Sequence, residues 1–226
     1  MKKLLRKLFF LSVVATFSCS KDEIPSRSDD VYFPLTSGSF SEFDVERTTF
    51  SFSALPEVSR FTTRQMIGDS FIDINNQLIY KVEFSVLNNK FTWKADSLVP
   101  VWKTFDKILG QENGQIVTKM MHPLANELTW NGNLYNSMNE KIFRVKDLGM
   151  PFKDGKNTFL KTVTIIRQDD STLLSKNKYI EIYAANVGLI RTEKIFVQYC
   201  STPDCIGKGI IESGWKEISV INKYGK

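Results

Sequence analysis

The side chains that most often carry catalysis are scarce in this chain. The single histidine, His122, stands in the run Met120-Met121-His122-Pro123-Leu124. One histidine excludes His-x-x-x-His zinc motifs and paired-histidine catalysis. No Gly-x-Ser-x-Gly or Ser-x-x-Lys nucleophile motif accompanies it, so His122 reads as a strand-end residue at the surface or in a hydrogen bond. The three cysteines are Cys19, Cys200 and Cys205, too few for a four-cysteine zinc site. Cys200 and Cys205 enclose Ser201-Thr202-Pro203-Asp204, in which Pro203 and Asp204 are turn formers. A turn there brings two Cα atoms into the range of roughly 4.4–6.8 Å that a disulfide requires. The alternative is a redox pair, but neither Cys-x-x-Cys spacing nor a neighbouring histidine activates these thiols. No glycine-rich phosphate loop, dinucleotide fingerprint or calcium loop is present. The expectation is therefore no catalytic residue, no metal site and no cofactor.

Carboxylates are the remaining candidates, among them Asp69, Asp73, Glu112, Asp147, Asp169 and Asp170. Two facing acids can cleave a glycoside. Acids in turns and on half-exposed strands face water and keep ordinary pKa values, so no close buried pair is expected. Trp93, Trp102, Trp130 and Trp215 would suggest sugar or peptide binding if they lined a rim. Large aromatics in β proteins more often fill the core, and that is the expectation for most of them.

The beginning of the chain is more informative. Lys2, Lys3, Arg6 and Lys7 precede the apolar run Leu8 to Ala15, and Thr16-Phe17-Ser18-Cys19 follows. A basic region, a short apolar region and a small residue before a cleavage point make a secretory signal over residues 1–18. No segment reaches the roughly 20 apolar residues that a spanning helix needs. Ser18-Cys19 resembles the lipobox of bacterial lipoproteins. The resemblance implies cleavage before Cys19 and a lipid on its thiol and amine. Stable anchoring takes about two acyl chains, so this anchor would hold the chain on a membrane. The alternative is a secreted, unlipidated chain.

From Cys19 onward 26 basic residues stand against 25 acidic ones, a net charge of +1. The basic character thus lies in the signal and does not point to nucleic acid, and no Lys/Arg stripe interleaved with aromatics appears. Residues 19–30 read as a polar tether. Its Lys21-Asp22-Glu23 resembles the signal that sends lipoproteins of Bacteroidetes type to the cell surface. The other placement is the periplasmic face of the outer membrane.

Residues 31–226 read as a single β-rich domain. Asn88-Asn89, Asn113-Gly114, Asn131-Gly132, Asp154-Gly155 and Gly207-Lys208-Gly209 mark turns between short apolar runs. The clearest strand is Gln77 to Leu87, where Leu78, Tyr80, Val82, Phe84 and Val86 form an apolar face. Ile116–Met121, Lys141–Val145, Thr158–Arg167, Lys178–Ala184, Leu189–Tyr199 and Trp215–Ile221 read as further strands. Val101, Trp102, Phe105, Ile108 and Leu109 fit helical spacing and predict a short helix. The fold expected is mainly β, a curved antiparallel sheet or open β-barrel with at most one or two short helices.

Three blocks resemble those of small uncharacterised outer-membrane lipoproteins of Bacteroidetes type. They are Phe33-Pro34-Leu35 with Gly38 and Phe43-Asp44-Val45, then Glu112-Asn113 with Pro123-Leu124 and Trp130-Asn131-Gly132-Asn133, then Tyr183 to Ile190. The resemblance implies an envelope lipoprotein and transfers no catalytic residue. The leading expectation is a non-enzymatic binding or structural module, attached to a membrane through Cys19 and facing an envelope protein or glycan. The alternatives are a carrier of a lipid or other hydrophobic ligand in a β-sheet cavity and a carboxylate-based glycan hydrolase. The concave face of the sheet separates them.

Overall fold

The computed structural model describes residues 28–155 and 157–226. The signal, Cys19 and most of the tether lie outside the described residues. A 3-10 turn at Ser28–Tyr32 opens the described chain. Twelve strands follow: β1 Phe40–Ser51, β2 Ala54–Ile72, β3 Leu78–Leu87, β4 Trp93–Lys103, β5 Lys107–Glu112, β6 Gln115–Met121, β7 Thr129–Asn131, β8 Ile142–Asp154, β9 Asn157–Ser171, β10 Ser175–Ala184, β11 Gly188–Tyr199 and β12 Ile211–Gly225. All pair antiparallel in one sheet, ordered β6-β5-β4-β3-β2-β1-β12-β11-β10-β9-β8-β7. The sheet is a nearly closed barrel, as expected for a mainly β chain. β1 and β12 join its two halves, with Phe43 opposite Ile221 and Thr49 opposite Trp215.

Alternation explains why these segments are strands. Phe143 and Val145 in β8 and Val163 and Ile165 in β9 are completely buried, while Ile142, Arg144 and Leu160 are exposed. In β3, Val82 is buried and Tyr80 and Phe84 pack beside it, as the alternating pattern predicts. Leu78 departs from that pattern: it stands at the end of the strand and is exposed.

The helix expected around Val101–Leu109 is not formed. Val101 and Trp102 close β4, Thr104–Asp106 make a turn, and Ile108 and Leu109 lie in β5. A register shift between Ile108 and Leu109 lets both be buried. The turn and the bulge together reproduce an i, i+3, i+4 spacing that belongs to no helix.

Opposing walls of a twelve-stranded ring stand too far apart for their side chains alone to fill the space between them. Tyr32 and Phe33 from the N-terminal turn and Leu124 from the β6–β7 loop make up part of the difference. They join Ile67, Val82, Val101, Ile108, Val117, Met120, Trp130, Phe143, Val145, Val163, Ile165 and Tyr183 in one apolar cluster. Asp30 pairs with Lys103 at 2.9 Å, so the folded part reaches into the stretch read as tether. A second cluster gathers Phe43, Val45, Phe159, Ile182, Ala184, Ile190 and Ile221.

Candidate functional site

The most chemically charged place inside the barrel is centred on Arg167 of β9. Its Nη1 donates to Glu181 Oε1 of β10 at 3.0 Å and to Glu112 Oε1 of β5 at 2.9 Å, and its Nη2 donates to Glu112 Oε2 at 2.7 Å. Tyr179 donates to Glu181 Oε1 at 2.7 Å, and Tyr183 donates to Glu181 Oε2 at 2.9 Å. Lys119 of β6 is bonded to Glu112. The guanidinium also lies over the Phe143 ring at 4.7 Å and the Tyr179 ring at 4.4 Å. Strand alternation explains the assembly: Tyr179, Glu181 and Tyr183 are every second residue of β10 and share one face.

Two carboxylates therefore converge on one cation, Glu181 buried and Glu112 half-buried. Glu112 is among the acids expected to face solvent, and Glu181 is not among the candidates the sequence offers. Only the apolar run around Glu181 in Lys178–Ala184 hinted that it was buried. Burial pushes the Glu112 carboxyl up, but Lys119 and Arg167 outweigh it and hold it well below the usual carboxylate range. Burial likewise opposes the Glu181 charge, and Arg167 again wins, lowering its pKa. Tyr179 and Tyr183 are pushed well up, by burial first and the Glu181 charge second. Both acids are ionised and both phenols protonated at neutral pH. Neither acid carries a proton to give a leaving group, and both are engaged by cations.

The Trp130-Asn131-Gly132-Asn133 block closes the gap between the outer strands β6 and β7. Thr118 N donates to Gly132 O and Trp130 Nε1 donates to Thr118 O, each at 2.9 Å. Asn131 Oδ1 accepts from the backbone N of Asn133 and of Lys141. A Cβ on Gly132 would meet the Phe143 ring at 2.4 Å, so no larger residue fits. The block is both a turn, as Asn131-Gly132 predicts, and the seam of the barrel.

The first and last sequence blocks meet as well. Phe33 packs on Tyr183 with ring centroids 5.6 Å apart, and Asn186 N donates to Val31 O at 2.7 Å.

Among the described residues, two of the grooves that open to solvent flank β9. One, of about 480 Å³, is lined by Asp147, Phe152, Asp154, Ile182, Arg191 and Glu193, among others. Arg191 holds Asp154 and Lys178 holds Glu193, so two of its three carboxylates are already paired. The other, of about 680 Å³, reaches Arg167 beside Asn133, Lys141, Arg144, Asp169 and Asp170. Burial and the nearby Arg167 charge lower the Lys141 pKa.

His122 is buried at the end of β6, with Nε2 3.9 Å from Asp30 Oδ1. Of the tryptophans only Trp130 is fully buried. Trp93 lies under Arg64 at 4.1 Å, and Trp215 stacks with Phe196 at 5.1 Å, so these aromatics pair with neighbours on the sheet instead of filling the core. Cys200 and Cys205 stand at disulfide distance, with Cα atoms 5.7 Å apart. Among the described residues they and Glu212 form one possible three-ligand metal cluster, whose ligand atoms lie within 4.8 Å of one another. Sulfurs joined to each other would leave no thiolates to bind an ion. Cys19 lies outside the described residues.

No family model matches the chain, and no curated protein does. A solved structure titled as a "putative lipoprotein" from Parabacteroides distasonis ATCC 8503 is similar, with 13% sequence identity and a TM-score of 0.40. The alignment covers 86% of this chain and 98% of that one.

Proposed function

We propose that the chain is a lipoprotein held on the outer membrane through Cys19, and that its barrel is a non-enzymatic binding or structural module. The observation that carries the module reading is the state of the barrel interior. One part is filled by the apolar cluster around Phe143, and another holds the charge-paired Arg167 group. Apolar side chains and an ion-paired group line the interior, which favours a module over a lipid carrier, and its inward acids are held ionised. The anchor reading rests on the basic and apolar stretches before Ser18-Cys19. Lys21-Asp22-Glu23 favours the cell-surface side, where an envelope protein or glycan would be the partner.

Fractionation of cells expressing the Cys19→Ala chain tests the attachment. The variant is expected to leave the membrane fraction or to accumulate unprocessed. Retention and processing equal to the parent overturn it. Incubating the purified chain with surface glycans tests the module reading. No cleavage is expected; cleavage abolished by Glu112→Gln or Glu181→Gln overturns it.

A further inference from the structure

The β2–β3 hairpin ends in four apolar side chains that stay exposed. Ile74 is 99% exposed, Ile72 66%, Leu78 47% and Phe71 44%. The turn that presents them is ordered: Asp73 Oδ1 accepts from Asn75 N at 2.9 Å and from Gln77 N at 2.8 Å. Ile74 is thus held outward by a built loop. Exposed apolar side chains gathered at one hairpin tip mark an interaction surface.

Where the chain joins the fold identifies what covers it. Ile79 pairs with Trp102, and the next residues outward are Leu78 and Lys103. Lys103 holds Asp30 at 2.9 Å. The hairpin therefore stands at the end of the barrel where the tether arrives. Nine residue steps separate Cys19 from Ser28. They span at most about 30 Å when fully extended. The twelve residues of β1 carry the sheet about 40 Å toward the opposite tips, at roughly 3.3 Å per residue. A lipid on Cys19 therefore brings the Ile74 end to the bilayer more readily than the Phe52 end.

We infer that the Phe71-Ile72-Ile74-Leu78 tip inserts into the membrane surface beside the lipid anchor, orienting the barrel with its Phe52 end outward. This rests on the Cys19 anchor proposed above. An amphipathic insertion of this kind complements an acyl anchor and fixes the orientation of the domain.

The test uses the full lipidated chain on phosphatidylethanolamine/phosphatidylglycerol vesicles. One variant, Ile74→Cys, and another, Phe52→Cys, each carry an environment-sensitive fluorophore, and the unsubstituted chain gives the labelling background. Flotation reports attachment, and quenching by nitroxide-labelled lipid reports insertion. The chain is expected to float, with emission at position 74 quenched at least twofold and emission at position 52 unchanged. A floating chain whose 74 label stays in water overturns the docking alone. A 74 label that is shielded but unquenched places a second copy or another protein there and also overturns it. A chain that fails to float overturns the anchor and the docking together.

Discussion

Arg167 ties three strands of the interior together through Glu112, Tyr179 and Glu181. It neutralises Glu181, which is almost fully buried, and it links β9 to β5 through Glu112. Removing one partner of a buried ion pair leaves an uncompensated charge, at a cost of about 3–5 kcal/mol. Arg167→Met is therefore expected to lower the denaturant midpoint by that measure, and Arg167→Met/Glu181→Met to recover much of the loss. A double variant as unstable as the sum of the single ones contradicts the pairing. The same pair predicts a pH dependence. Both glutamates have folded-state pKa values below the ordinary 4.5, so their stabilisation is complete above that value. It is lost as the pH falls toward their folded values. Unfolding midpoints should thus drop below about pH 4.5. Glu181→Gln should be less stable at neutral pH and show a shallower acid decline. A second residue-scale expectation concerns Cys200 and Cys205. Alkylation of the native chain is expected to label neither thiol, and alkylation after reduction both; two reactive thiols before reduction contradict the bond.

At the scale of the elements, alternation and seam chemistry set the barrel. Phe143→Ala removes a completely buried ring and is expected to cost about 3–5 kcal/mol. Exposed Arg144→Ala should stay within about 0.5 kcal/mol. Equal effects on the urea midpoint would contradict the β8 register. Gly132→Ala drives a methyl against the Phe143 ring and should destabilise by about 1–3 kcal/mol. The strands carrying Val82, Phe143, Val163 and Val117 were legible because apolar residues alternate there. β2 was not, because its first residues are all exposed and carry no inward pattern, and in β1 the inward alternation is limited to Phe43 and Val45. The helix read into Val101–Leu109 failed because a turn and a bulge imitate helical spacing, a coincidence that sequence periodicity does not resolve.

Taken as a whole, the molecule is a nearly closed barrel with Phe33 and Tyr183 packed together where the N-terminal turn meets it. Phe33 of the first sequence block and Tyr183 and Asn186 of the last lie where the N-terminal turn meets the barrel, and Trp130 and Gly132 of the second lie at the seam. The inward ion cluster was hidden because Glu112 and Glu181 lie 69 positions apart and only the register brings them to one guanidinium. The proposed anchor, in contrast, rests on contiguous residues, Lys2 to Cys19. Mass spectrometry of the N-terminal peptide from the membrane fraction tests it most directly. The expected result is a mature chain that begins at Cys19 and carries acyl groups on its thiol and amine. A chain that begins elsewhere, or a Cys19 with an unmodified thiol, contradicts it.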